Sequence, residues 1–266
     1  MSSPSDNRHG PAAIRNRGFI LEELSKWEGG GGGSEGSMLD IASGTGCHVE
    51  AFAKALPGWT FQPSEYDETR IPEIATTIER CGFSNILPPV QLDVRADPTT
   101  WPRPSSGTNS EGGGGDGALW DAAMCINMIH IAPQECTSGL LKGVAAGLKM
   151  GKHFFLYGPF GLDGVLLPDS NKGFNESLKA RSDGLWGIRD VAWVAKLADE
   201  QGLEVTAMTL MPANNFFIVF TKVRDAASST TEETTESDVR ASRVAERVSA
   251  VVRPAWGALV ASVAGN

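Results

Sequence analysis

Apolar residues along the chain fall into short runs separated by stretches of helical spacing, and that alternation predicts strands and helices taking turns. Ser37 to Ile41, Trp59 to Glu65, Pro89 to Val94, Ala118 to Ile126 and Lys152 to Tyr157 are the runs, each bounded by turn formers. Between them Val49 to Leu56, Ile71 to Cys81 and Gln134 to Leu148 have helical composition, closed by Pro57-Gly58, Gly82 and Gly151. Val191 to Gln201 reads as a further helix stopped by Gly202, and Leu203 to Leu210 and Phe216 to Lys222 as two more strands around the polar turn Met211 to Asn215. Ahead of the first run, Ile20, Leu21 and Leu24 recur at helical spacing behind the polar start Arg15-Asn16-Arg17. Strands that are continuously apolar belong in a parallel sheet covered on both faces. The last two, joined by so short a turn, form an antiparallel pair.

Breaks in the pattern divide the chain. Residues 1–13 are polar and read as a flexible N-terminus, and residues 14–222 carry the whole alternation. Five successive glycines within residues 28–37 and a four-glycine run within residues 102–117 mark two insertions without regular structure. Residues 223–266 form a tail whose Ser, Thr and Glu content predicts disorder through Ser237. Ser242 to Val252 then places Val244, Val248 and Val251 or Val252 on one face, which leaves a docked helix and a loose tail as alternatives. The long connection over residues 161–189 has the length of a functional lid.

Chemistry concentrates at strand ends. After the first strand, Gly44 and Gly46 let the backbone turn sharply and let a ligand lie against the main chain, and the helix beyond offers free N–H groups to it. A nucleotide-like ligand suits that turn. The dinucleotide pattern G-x-G-x-x-G is not met, because the third glycine is absent, and this disfavours a nicotinamide oxidoreductase. Glu65 closes the second strand, where a carboxylate accepts from both ribose hydroxyls, with Asp67 as the alternative. Asp93 lies near the carboxyl edge of the third strand, with Val94 beside it. Asn127 and His130 stand at the mouth of the fourth strand and Tyr157 at that of the fifth.

Composition narrows the partners. The 266 residues suffice for one large α/β domain, with 41% hydrophobic and 21% charged residues. A net charge of -9 argues against a nucleic-acid partner. Nowhere do enough apolar residues run together to span a bilayer. Cys47, Cys81, Cys125 and Cys136 lack C-x-x-C spacing, so they read as buried thiols rather than disulfides or metal ligands, in a reducing, cytoplasmic setting.

The first strand and its turn, LDIASGTGCH, resemble the first motif of class I S-adenosylmethionine (AdoMet) methyltransferases, with Asp40 as the strand acid and Ala42 in place of the leading glycine. Together with IRNRGFIL, FQPSEYD, NILPPVQLDV, CINMIHIAP, LYGPF, SNKGFNESL, WGIRD and MPANNFFIVF, in order over about residues 14–222, the chain resembles the methyltransferase-like 26 family. The resemblance implies a Rossmann-like class I methyltransferase fold, a seven-stranded mostly parallel sheet of order 3-2-1-4-5-7-6 with the last strand antiparallel and helices on both faces. It implies AdoMet as cofactor, held at Asp40, Ala42, Gly44, Gly46, Glu65, Asp93, Val94 and Asn127. Asn16, Arg17, Ser170, Asn171, Trp186, Arg189, Asn214 and Asn215 are then expected around a small-molecule substrate.

Methyl transfer is an in-line displacement, so alignment and exclusion of water are the main tasks, and a hydroxyl or thiol acceptor also needs a base. His130 is the first candidate because its reference pKa lies near neutrality, with Tyr157 and Asp190 behind it. The amides and two arginines suggest a polar, carboxylate-bearing substrate. No metal is expected, since clustered acids after the fourth strand are missing. The rival reading is a non-catalytic AdoMet-binding or adaptor protein with the tail helix as its partner surface.

Overall fold

The computed structural model describes residues 9–27, 35–104, 118–226 and 241–265. The expectations of a flexible start, of two glycine-rich insertions and of a disordered stretch through Ser237 fall mostly on residues 1–8, 28–34, 105–117 and 227–240, outside the described residues. Helix α1 (Pro11–Ser25) precedes β1 (Gly36–Ile41), α2 (Cys47–Ala55), β2 (Trp59–Glu65), α3 (Ile71–Cys81), β3 (Val90–Gln91), β4 (Trp120–Ile126), α4 (Gln134–Gly147) and β5 (Leu148–Gly158). The short β6 (Phe160–Gly161), α5 (Asp169–Ala180), β7 (Arg189–Asp190), α6 (Val191–Glu200), β8 (Leu203–Met211) and β9 (Asn215–Lys222) follow.

Seven strands form one sheet in the order β3-β2-β1-β4-β5-β9-β8. From β3 through β5 every pair is parallel, and β9 inserts antiparallel between β5 and β8. This is the expected order, with β8 and β9 as the sixth and seventh strands of the sheet. Strands β6 and β7 pair separately and parallel, within the connection expected to be a lid. That connection also contains α5, whose apolar side buries Leu178.

The alternation of side chains along each strand sorts the core onto two faces. Leu39, Ile41, Phe154, Leu156, Phe216, Ile218 and Phe220 face one way, packed under α4 and α6. Met38, Phe155, Tyr157, Phe217 and Val219 face the other, under α1 and α2 with Ile20, Leu24, Val49 and Phe52. Burial on both faces explains why these strands read as unbroken apolar runs. Two glycines of α4 set how closely that helix approaches: a Cβ on Gly139 would lie 2.3 Å from the Val94 carbonyl oxygen, and one on Gly143 2.1 Å from the Trp101 ring.

Three boundaries differ from the sequence expectation. Strand β3 keeps only Val90 and Gln91, because Pro88 and Pro89 have no N–H to give to a ladder and Asp93 is drawn into a turn with Arg95. Helix α1 begins at Pro11, and His9 ahead of it is buried, so residues 9–13 belong to the folded domain. The largest difference is the tail. Residues 241–247 are helical, Val248–Val252 form a π-helical turn, and α7 (Arg253–Ala264) completes the element.

Val248, Val252, Trp256 and Leu259 enter the core beside α6 and the end strands, with Trp256 stacked on Phe216 at 6.0 Å between ring centroids. Arg247 meets Glu204 at 2.9 Å and Arg253 meets Asp163 at 2.9 Å, fixing the register. The valine spacing extends through Trp256 and Leu259, so the apolar stripe is long enough to repay ordering of the helix. Among the described residues no helix is long and apolar enough to cross a membrane. Truncating Trp256 to alanine is expected to cost about 3 kcal/mol by loss of buried aromatic surface. Urea unfolding monitored by circular dichroism measures this, and a change within about 0.5 kcal/mol contradicts integration of the tail into the core.

Candidate functional site

The carboxyl edge of the sheet opens into a cavity of about 620 Å³ between β1, β2, β3 and β4. Its wall begins with the turn Ala42 to Thr45 and continues with Cys47 and His48 at the start of α2. The turn is unusual backbone. Ala42 has φ 60°, Gly44 62° and Gly46 76°, and a side chain on the first of these has to tolerate the left-handed region. Cross-links hold it: the Ser43 N–H donates to the Ser64 carbonyl at 2.9 Å, and the Ser43 and Ser64 hydroxyls both donate to the Asp40 carbonyl, at 3.1 and 2.9 Å. A Cβ on Gly44 would meet nothing within 4 Å, so this face of the turn is open.

Glu65 ends β2 against the same turn. Its Oε2 accepts the Gly44 N–H at 2.9 Å and its Oε1 the Tyr66 N–H at 2.9 Å, which fixes the carboxylate while leaving lone pairs toward the cavity it lines. Asp93 lines the next stretch, gripped by Arg95 through Nε to Oδ1 at 2.9 Å and Nη2 to Oδ2 at 2.7 Å, and this pairing holds its carboxyl below the usual range. The Arg95 guanidinium lies 5.5 Å from the Tyr66 ring centre, so Tyr66, Arg95 and Asp93 form one stacked rim. Leu92, Val94, Met128, Ile131, Ala132 and Pro133 supply an apolar slot beside it. Gly10, Ala12 and Ala13 close the cavity from the N-terminal side. His9 anchors that segment, with Nδ1 2.7 Å from the Thr45 hydroxyl and Nε2 3.5 Å from Glu50.

Of the cofactor residues read from the sequence, Ala42, Gly44, Glu65, Asp93, Val94 and Asn127 line this cavity. Asp40 lies beneath the turn at 3% exposure, and burial raises its carboxyl to about 6, opposed by Ser43 and aided by Glu65. Gly46 caps α2 behind the lining. Asn127 adopts φ 58° and binds the Tyr157 carbonyl through its N–H at 2.8 Å, which ties the ends of β4 and β5 together. Sequence reasoning did not single out His48, Tyr66 or Arg95. Each lies one or two residues beyond Gly46, Glu65 or Asp93, so nearness to the glycine turn and to the two strand acids was the available signal.

The substrate set is more dispersed. Trp186 lines the cavity. Asn16 is buried and accepts from His48 at 2.9 Å, and the Asn215 amide donates to the carbonyls of Pro212 and Ala213. Arg17 approaches the Cys47 sulfur at 3.8 Å. Arg189 donates to the carbonyls of Ile129, Ala132 and Leu185, so its guanidinium clamps the segment after β4. Asn171 donates to the carbonyls of Leu167 and Asn214, and Ser170 is exposed on α5. His130 is buried beside Gly158 and edge-on to Phe174 at 5.7 Å, with its Nδ1 unpartnered among the described residues.

Both histidines at this end are neutral. Burial, reinforced by Arg189, pushes His130 down to about 4, and burial with the charges of His9 and Arg17 does the same to His48. Burial pushes the Tyr157 hydroxyl up. A folded-state pKa below the unfolded value of 6.5 gives stability that is complete above pH 6.5 and lost as pH falls through about 4. Unfolding free energy is therefore expected to drop by a few kcal/mol over that interval, and the double variant His48→Gln, His130→Gln to flatten the drop. Denaturant titrations at successive pH values check it, and an unchanged slope contradicts the assignment.

Similarity to solved structures supports the same architecture. An O-methyltransferase family protein from Burkholderia thailandensis superposes with a TM-score of 0.63 at 14% identity, over 82% of this chain and 58% of that one. For human N-acetylserotonin methyltransferase, solved in complex with SAM, the values are 0.55, 17%, 79% and 52%. For an O-methyltransferase family 2 protein from Planctomyces limnophilus, solved with apigenin, they are 0.58, 15%, 83% and 62%. The likeness is one of fold, the Rossmann-like class I methyltransferase fold, and this chain spans between 52% and 62% of the length of those three proteins. Residues 7–222 match the family described as "Protein of unknown function (DUF938)", and the chain belongs to that family.

Proposed function

We propose that this chain is an AdoMet-dependent methyltransferase acting on a small polar molecule. The observation that carries the reading is the convergence of an open glycine turn, Glu65 and Asp93 on one cavity at the carboxyl edge, beside the paired β1 and β4 where the strand order reverses. Open α/β sheets bind ligands at such a switch point. The residues present fit the nucleoside. Glu65 keeps acceptor capacity for vicinal hydroxyls, the Asp93 rim offers acceptors to an exocyclic amine, and the apolar slot beside it suits a planar base. The volume lies within the range of small-molecule sites. The sequence resemblance to the methyltransferase-like 26 family and the known cofactor of the human structural neighbour support the same reading.

When bound, AdoMet supplies an electrophilic methyl group on a sulfonium. The chain's own contribution is placement. His48, the imidazole that lines the cavity, is held neutral, while His130, Tyr157 and Arg189 lie outside the lining and Arg189 spends its donors on backbone carbonyls. Apart from Glu65, Arg70, Asp93 and Arg95, the polar groups of the lining are uncharged, Ser43, Thr45, His48, Tyr66 and Asn127 among them, which favours an acceptor recognised by neutral hydrogen bonds. Cys81, Cys125 and Cys136 form no disulfide, which suits the reducing, cytoplasmic setting read from the sequence.

Calorimetric titration of the purified protein with AdoMet, S-adenosylhomocysteine and NADH tests the reading, with Glu65→Ala and Asp93→Ala as controls. Micromolar binding of the first two is expected, weakened at least about tenfold in each variant. Binding of neither, or of NADH alone, overturns it.

A further inference from the structure

The wall of the cleft contains an imidazole whose tautomer the structure determines. His48 Nε2 lies 2.9 Å from Oδ1 of Asn16. An amide oxygen only accepts, so Nε2 carries the hydrogen and Nδ1 keeps its lone pair. Asn16 and His48 are 6% and 9% exposed, so water does not compete for this bond. His48 itself lines the cavity beside Gly44 and Thr45, and among the described residues no group bonds to Nδ1.

We propose that Nδ1 of His48 faces the methyl-bearing end of the cleft and receives the hydrogen of an uncharged O–H or N–H acceptor, with Asn16 as the residue that positions it. This rests on the methyltransferase reading and adds the proton's destination and the acceptor's class. The balance is that the acceptor's O–H or N–H bond breaks as its lone pair forms the new bond to the methyl carbon, the S–CH₃ bond breaks with its electron pair retained by sulfur, and the proton passes to Nδ1 and then to water. One positive charge therefore resides in the site before and after. A histidine of ordinary basicity would be partly cationic at neutral pH and would oppose the sulfonium. Burial and the facing charges of Arg17 on α1 and His9 on the preceding segment keep this one neutral. A weak base suffices because an acceptor hydrogen becomes strongly acidic as the new bond forms, and the same neighbours then favour proton release. His130, in contrast, has its Nδ1 shut away from solvent against Gly158.

The test is nuclear magnetic resonance of the full chain with ¹⁵N-labelled histidine at pH 7, free and saturated with AdoMet or S-adenosylhomocysteine. The two nucleosides differ at sulfur by one methyl group and one charge. The expected spectrum shows His48 protonated at Nε2 and bare at Nδ1, with an Nδ1 resonance that moves between the two complexes. Asn16→Leu is expected to mix the tautomers, and Asn16→Gln, which keeps an uncharged amide oxygen to accept from Nε2, to restore the single form. A hydrogen on Nδ1, or an Nδ1 resonance identical in both complexes, overturns the proposal while leaving the cofactor reading intact. Failure of both nucleosides to bind removes the cofactor reading itself.

Discussion

The structure depends on holding the end of β1 in a backbone conformation that extended strands do not adopt. Between Ala42 and Gly46 the chain passes three times through positive φ, and each passage removes a regular hydrogen-bond partner from the main chain. Ser43 and Ser64 replace those partners from the side, and the Glu65 carboxylate takes the Gly44 N–H. The cross-links join β1 to β2 at the point where the sheet opens. They set the position of α2, the direction of Glu65 and hence the shape of the cleft. Buried Asp40 sits directly under this turn, and its raised carboxyl reflects how dry the region is.

From that turn outward, charges are used mainly within the protein. Arg189 fastens the segment after β4 by donating to three carbonyls, and Arg95 neutralises Asp93 while stacking on Tyr66. What remains at the opposite end of the cleft includes a neutral pair in which Asn16 and His48 connect α1 and α2. Such an end suits a cationic cofactor and discriminates by hydrogen-bond direction rather than by charge. Helix α1 is thus both a cover for one sheet face, through Ile20 and Leu24, and a source of polar groups for the site.

The fold was legible because a parallel sheet buried on both faces leaves unbroken apolar runs, as at Trp120 to Ile126, and because glycines and prolines punctuate them. The cavity residues at strand ends, Glu65 and Asp93, were legible by position alone. His48 was not: one histidine after a glycine turn looks like any helix residue, and its significance lies in contact with Asn16, 32 residues away. Arg189 shows the converse, since a conspicuous cation suggested a carboxylate ligand while its geometry satisfies backbone carbonyls. For the tail the pattern left a docked helix and a loose segment open, because Val244, Val248 and Val252 make a modest stripe in isolation, whereas Phe216 on β9 offers Trp256 a stacking partner that no local pattern announces.

The most direct measurement is a crystal structure of the protein soaked with S-adenosylhomocysteine. The account requires the ribose hydroxyls on Glu65, the base in the slot formed by Leu92, Val94 and Ala132 with its amine toward Asp93, and sulfur on the side of the cleft walled by Asn127 and His48. A nucleoside bound elsewhere, or one in this cleft with Glu65 making no contact to it, would contradict the account.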